Sequence, residues 1–132
     1  MENTMIEKEG RETIFIEGVH YMSEQQMQVF CVRWFSDYFP SERGMLHCNN
    51  NNSSSRVEGN KNKALGVTPG VSDLELVMKH GQVAFIELKL AKGKLSEDQI
   101  KWRQKVMQRG HLYMTAFSFE EFKKIILNLY SI

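Results

Sequence analysis

Hydrophobic positions change their period along this chain, and the changes divide it into elements. From Ser23 to Tyr38, Met27, Phe30, Cys31, Trp34 and Tyr38 recur at helical spacing, which predicts an amphipathic helix that buries this stripe. Ser23 is a good N-cap, Gln26 completes a capping box with it, and Pro40 ends the helix. Met45-Leu46-His47-Cys48 predicts a short strand. Two longer apolar runs follow, Leu74 to Met78 and Val83 to Leu90, and His80-Gly81 between them predicts a tight turn that pairs them as a hairpin. Ser96 and Gln99 form another capping box, opening a helix that Gly110 closes. His111 to Phe117 alternates loosely, as a strand does. Ser118 then caps a last helix that buries Phe122, Ile125, Ile126 and Leu129.

The intervening segments are plainer. Asn49 to Ser55 is a polar Asn/Ser tract and predicts a flexible loop. Val57 to Leu65 predicts a weak helical turn before the Thr68-Pro69-Gly70 bend. Thr13 to Ile16 predicts a short edge strand or a segment packed on the domain. The resulting order is helix, strand, strand, strand, helix, strand, helix: an α/β chain with an N-terminal extension over 1–20 and a single domain over 21–132. No internal repeat interrupts it.

Composition narrows the class without naming a function. The chain has 132 residues, 42% hydrophobic and 25% charged, which suits one soluble globular domain. A net charge of +1 offers no global attraction to nucleic acid, so any phosphate binding must come from local basic clusters. Cys31 and Cys48 lack metal-ligand spacing and read as reduced thiols, with Cys31 a small core residue. Neither a signal-peptide core nor an apolar run approaching the ~20 residues of a membrane span is present. These features predict a cytoplasmic protein.

The chemistry concentrates at Asp73 and at Glu87-Leu88-Lys89. Side chains alternate along a strand, so Glu87 and Lys89 share one face while Ile86, Leu88 and Leu90 share the other. A buried acid and base two residues apart are costly to desolvate without compensation, and a divalent metal would supply it. The hairpin predicted above lets Asp73 lie beside Glu87. An aspartate near Pro-Gly is most often a turn residue, and it is the downstream pair that turns the reading toward a ligand. An ion pair with Lys89 is the bland alternative for Glu87. Glu75, two from Asp73 on the same face, is either a solvated strand residue or a group supporting the site. Gln99 lies on the inward stripe of its helix with Trp102 and Val106, and its position also suits a simple capping role. Glu24 sits in the first turn of its helix, where an acid is favourable whatever its function. His47 forms no zinc pattern with another histidine or cysteine.

Three blocks in order carry a family resemblance: Gly66-Val67-Thr68-Pro69-Gly70-Val71-Ser72-Asp73-Leu74, Ile86-Glu87-Leu88-Lys89, and Gly93 to Gln99 followed by Trp102. The first two resemble the PD-(D/E)XK nuclease pattern. All three together resemble the virus-type replication-repair nuclease (VRR-NUC) family, from about Ser23 to about Glu121. One departure is visible, since Ser72 stands where the family usually has proline.

The resemblance implies a restriction-endonuclease-like fold with a central mixed sheet flanked by helices, and a metal-dependent DNA nuclease. It implies Mg2+ (with Mn2+ able to substitute) held by Asp73 and Glu87, with the Leu88 carbonyl as a further ligand. Glu24 occupies the family's metal-site position on the first helix, with Gln28 one turn later as the fallback. Lys89 either orients the attacking water and stabilises the transition state or serves as base, and Gln99 assists it. His47, Arg56, Lys61, Lys63, Lys92 and Lys94 flank the site as candidate phosphate contacts. Compact members of the family are typically viral or bacterial homodimers that cut branched DNA such as four-way junctions. Cleavage of linear or flap DNA, a DNA-binding module with a vestigial site, and a structural protein whose motif is a salt bridge are the competing readings.

Overall fold

The computed structural model describes residues 23–49, 56–90 and 93–131. Four α-helices and four strands follow one another there: α1 (Glu24–Tyr38), β1 (Leu46–Cys48), α2 (Arg56–Ala64), β2 (Leu74–Val77), β3 (Val83–Leu88), α3 (Glu97–Gln108), β4 (Leu112–Ala116) and α4 (Phe119–Tyr130). The strands form one sheet in the order β1-β2-β3-β4. β1, β2 and β3 pair antiparallel, and β4 runs parallel to β3. A parallel neighbour requires a crossover connection, and α3 is that crossover. The sheet is therefore mixed and flanked by helices, as expected. Among the described residues no helix is long and apolar enough to cross a membrane.

Alternation along each strand sorts the two faces. Leu74, Leu76, Ala84, Ile86, Leu88 and Ala116 are fully buried and meet Met27, Cys31 and Phe35 of α1 and Phe119, Phe122, Ile126 and Leu129 of α4. This layer is the hydrophobic core. The opposite face carries Glu75, Phe85, Glu87 and Tyr113, and α3 lies over it. Trp102 of α3 packs edge-on against Phe85 at 4.6 Å between ring centroids and stands 6.2 Å from Tyr113. One face thus stabilises the domain, and the other holds its polar residues under a helix.

The helix ends follow from their caps. Ser23, Ser96 and Ser118 each accept a hydrogen bond from the backbone N–H three residues on, satisfying a donor that the first turn leaves unpaired. At α3 the box is complete, because the Gln99 side chain also accepts from the Ser96 N–H. The β2–β3 hairpin turns through Lys79–Gly81, where His80 and Gly81 both take positive φ. Histidine is among the few non-glycine types that populate this region.

Several expectations need correction. Phe35, not Tyr38, continues the buried stripe of α1, and Tyr38 is 58% exposed. Past the helix end Phe39 packs on Phe35 and stacks on Tyr130 at 4.5 Å, while Tyr38 lies against Trp34 at the surface. The weak turn expected over 57–65 is a nine-residue helix, α2. β1 begins at Leu46, while Met45 is exposed. The segment expected at 13–16, the N-terminal extension, Lys92 and the tract at 50–55 lie outside the described residues.

Gly70 ties the entry of β2 to the start of α3. Its φ of +89° lies in the left-handed region, and a Cβ there would overlap the backbone carbonyl of Asp98. Gly44 has a similar φ of +94° but open space around it. Alanine at Gly44 therefore incurs only the backbone penalty of about 1–2 kcal/mol. Alanine at Gly70 adds a steric clash that neither backbone can easily relieve. Melting temperatures should rank wild type above Gly44→Ala and Gly44→Ala above Gly70→Ala. Equal losses at the two positions would contradict the close approach of the loop to α3.

Candidate functional site

Register brings the two acids together. Leu74 faces Ile86 in the antiparallel β2–β3 pair, so one step outward Asp73 stands against Glu87. Asp73 precedes β2 by one residue, and its Oδ2 accepts from the Leu88 N–H at 2.8 Å. Glu87 lies within β3 and is only 3% exposed. Its Oε2 accepts from Nε2 of Gln99 at 2.8 Å, and the Lys89 ammonium stands 4.0 Å from the same oxygen. Its Oε1 is buried and, among the described residues, meets no partner besides the neighbouring Asp73 carboxyl, with which it can share a proton.

Gln99 resolves its two candidate roles by filling both. Its Oε1 accepts from the Ser96 N–H at 2.8 Å while its Nε2 donates to Glu87. The amide has one end for the helix cap and one for the carboxylate, and the opposite orientation would set donor against donor.

The acids oppose each other electrostatically. Burial, and then the negative charge of Asp73, push the Glu87 carboxyl up to about 8, with Lys89 pulling the other way. Burial also raises Asp73, while the Leu88 N–H bond lowers it; the charge of Glu24 adds to the rise. Two crowded carboxylates form a site that favours either a shared proton or a cation. Hard carboxylate oxygens suit Mg2+, which binds one or two carboxylates and keeps several waters. Among the described residues, no group of three or more His, Cys, Asp or Glu is gathered to hold a metal. The pair itself is a set of hard oxygen donors, the chemistry that suits a divalent cation.

The other candidates have contacts and places of their own. Glu24 accepts from the Leu90 N–H at 3.3 Å, which ties the first turn of α1 to the end of β3. It influences Asp73 by charge without joining a three-acid cluster. His47 faces Glu75 across the β1–β2 pair, and its Nε2 donates to Glu75 Oε1 at 3.2 Å. Lys61 and Lys63 are exposed on the last turn of α2, which Arg56 opens, and Lys94 is exposed ahead of α3.

Two residues, Asn49 and Tyr113, join this surface that were not assigned a place in it from the sequence, and Glu75 takes the supporting place of the two foreseen for it. Asn49 donates its side-chain amide to Glu75 Oε2 and to the Ser72 carbonyl, each at 3.0 Å. Glu75 thus accepts from two side chains instead of being simply solvated. Tyr113 of β4 faces the same side as Glu87, and its hydroxyl is buried without a partner. Burial, and then the charge of Glu87, raise its pKa. Strand alternation was the available signal for Tyr113, because it shares a face with Thr115, the neighbour of Glu87.

Comparisons with known proteins agree on one domain type. The family model of the VRR-NUC domain matches residues 15–118. A solved VRR-NUC domain protein superimposes with a TM-score of 0.67 at 17% identity, covering 83% of this chain and 89% of that one. A second solved VRR-NUC domain gives a TM-score of 0.51 at 19% identity, covering 78% and 92% respectively. At these identities the likeness is one of fold. A search of curated proteins finds no match.

The elevated Glu87 pKa has a consequence for stability without metal. Its folded value of about 8 exceeds the unfolded carboxylate value of about 4.3. Below both values the proton is bound in either state and the group is neutral to folding. Between them the folded state retains a proton that the unfolded state releases, so stability falls as pH rises and levels off above the folded pKa. Glu87→Gln removes this titration. In EDTA, the melting temperature of the variant should exceed that of wild type at pH 8, with the gap closing toward pH 5. A gap that is constant across this range would refute the assignment.

Proposed function

Because the chain belongs to the VRR-NUC family, and so is a nuclease of the PD-(D/E)XK type with DNA as its substrate, we propose a divalent-metal-dependent endodeoxyribonuclease selective for branched DNA. The observation that carries this reading is the nearly buried Glu87 carboxyl set beside Asp73, two acids crowded closely enough for burial and the Asp73 charge to push Glu87 up to about 8. A salt-bridge motif would pair Glu87 with a cation at short range. Here the only ion pair of Glu87 among the described residues is a 4.0 Å approach by Lys89.

Asp73 and Glu87 would hold Mg2+, or Mn2+ in its place, with the Leu88 carbonyl as a further ligand and Glu24, tied to the Leu90 N–H, assisting by its charge on Asp73. Such an ion would supply Lewis-acid activation of water and neutralise charge on the phosphate. Gln99 holds the Glu87 carboxylate through its Oε2. Lys89, its side chain 14% exposed beside Glu87, would either stabilise charge developing on the scissile phosphate or serve as base toward the attacking water. His47, Arg56, Lys61, Lys63, Lys92 and Lys94 neutralise phosphates on either side of the cut. Substrate selection by branching rests on the family resemblance and on geometry. A homodimer presents two related sites to two related strands of a four-way junction, so binding of one strand raises the effective concentration of the other.

Initial rates on four-way junction, flap, single-stranded and linear duplex DNA, with Mg2+ or Mn2+, test this reading. The junction should be cut fastest, and light scattering should give a dimer. Asp73→Asn and Glu87→Gln should abolish cleavage. Lys89→Ala should lower kcat by about 10²–10⁴-fold while DNA affinity in Ca2+ persists. Near-normal cleavage by either carboxylate variant would overturn the metal site. A monomer that prefers linear duplex would overturn only the branched-DNA reading.

A further inference from the structure

Asp73 stands outside the regular ladder, one residue before β2, on a segment arriving from the Thr68-Pro69-Gly70 bend. A ligand there is useful only if its backbone is held, because its Oδ2 is already tethered to the Leu88 N–H and the remaining oxygen follows the main chain. The β1–β2 pairing ends at Cys48 and Leu74. Asn49 extends it by one bond, donating its backbone N–H to the Asp73 carbonyl at 2.9 Å.

Its side chain adds two further ties. Nδ2 carries two hydrogens, and both are used: one donates to the carbonyl of Ser72, just before Asp73, and one to the carboxylate of Glu75, just after it on the same face. Glu75 divides its oxygens between Asn49 and His47, one each. Both oxygens are thereby committed to donors from the β1 side, which accounts for a third acid so close to the pair without joining it. The partly buried amide of Asn49 bridges the residues on both sides of Asp73, and Glu75 fixes the orientation of that amide.

We propose that Asn49 and Glu75 are positioning residues that set Asp73 for cation binding, Asn49 by holding the carbonyls of Ser72 and Asp73 and Glu75 by holding the Asn49 amide. This proposal rests on the metal-dependent reading above. It assigns neither residue contact with cation or substrate. It predicts that breaking the clamp weakens cation affinity in the absence of DNA.

Titration calorimetry of the full chain with Mn2+ alone tests it. Asn49→Ala should bind Mn2+ about ten-fold more weakly or worse, the effect typical of groups that orient metal ligands. Asn49→Asp should be weaker still, since it sets acceptors against the Ser72 carbonyl and the Glu75 carboxylate. Glu75→Ala should also weaken binding, and Glu75→Gln, which keeps an acceptor for one donor, should recover part of the loss. Ile126→Val, in the core layer across the sheet, controls for stability: it should lower the melting temperature and leave Mn2+ affinity unchanged. If wild type binds Mn2+ and Asn49→Ala and Glu75→Ala stay within about two-fold of it, a factor of two being under half a kcal/mol, the positioning role is overturned and the metal reading stands. If wild type itself takes up no Mn2+, the metal reading falls and this inference falls with it.

Discussion

The mutual repulsion of Asp73 and Glu87 is the constraint on which the rest of the structure depends. A carboxylate on a central strand at 3% exposure is expensive, and a second acid opposite it raises the cost. Only a well-packed opposite face can offset such a term. The core supplies it with Phe35, Phe122, Met27, Leu74, Leu76, Ile86 and Leu88, all fully buried on the far side of the same strands and under α1 and α4. Strand alternation is what allows the separation. Ile86 and Leu88 stabilise the strand that holds Glu87 in an unfavourable place.

The start of α3 gathers the parts of the site. Gly70 packs on the Asp98 carbonyl, bringing the Asp73 segment against the first turn of the helix. Gln99, in that same turn, closes the cap and binds Glu87. A helix N-terminus carries partial positive charge, which suits a neighbouring carboxylate. Position and electrostatics therefore share one origin: the cap that defines where α3 begins also decides how Glu87 is oriented. Trp102, one turn on, seals this arrangement against Phe85.

Much of this was legible in the sequence because it rests on short-range signals. The hairpin that places Asp73 beside Glu87 follows from two strand-length runs and a turn between them. The caps at Ser96 and Ser118 are local patterns, and they are present. Gln99 shows where local reading stops. Its capping and site roles looked like alternatives along the chain, and only three dimensions reveal an amide with one end for each. What escaped depends on contacts between distant segments. Phe35, not Tyr38, is buried, and it meets Phe39 and Tyr130, which are far apart in sequence and stack at the helix end. Asn49 and Glu75, 26 residues apart, acquire their roles only once β1 pairs with β2. Glu24 looked equally able to cap a helix charge or reach the acids, and its bond to the Leu90 N–H spans 66 residues.

Ser72 shows how the same mechanical requirement is met by different chemistry. The family's usual proline would stiffen the approach to the aspartate covalently, through a fixed φ. Here the residue is fully buried, and its hydroxyl donates to the Leu74 carbonyl at 2.9 Å, spanning Asp73 from one side to the other. Its own carbonyl accepts from Asn49. A proline could keep the carbonyl bond but not the hydroxyl one, so in this chain hydrogen bonds replace a ring as the source of rigidity. Such a bond contributes only about 1 kcal/mol net when made, yet leaving its buried partners unpaired costs more. The departure at Ser72 and the clamp at Asn49 are thus parts of one arrangement. Both hold the main chain at Asp73 by pairing the carbonyls around it.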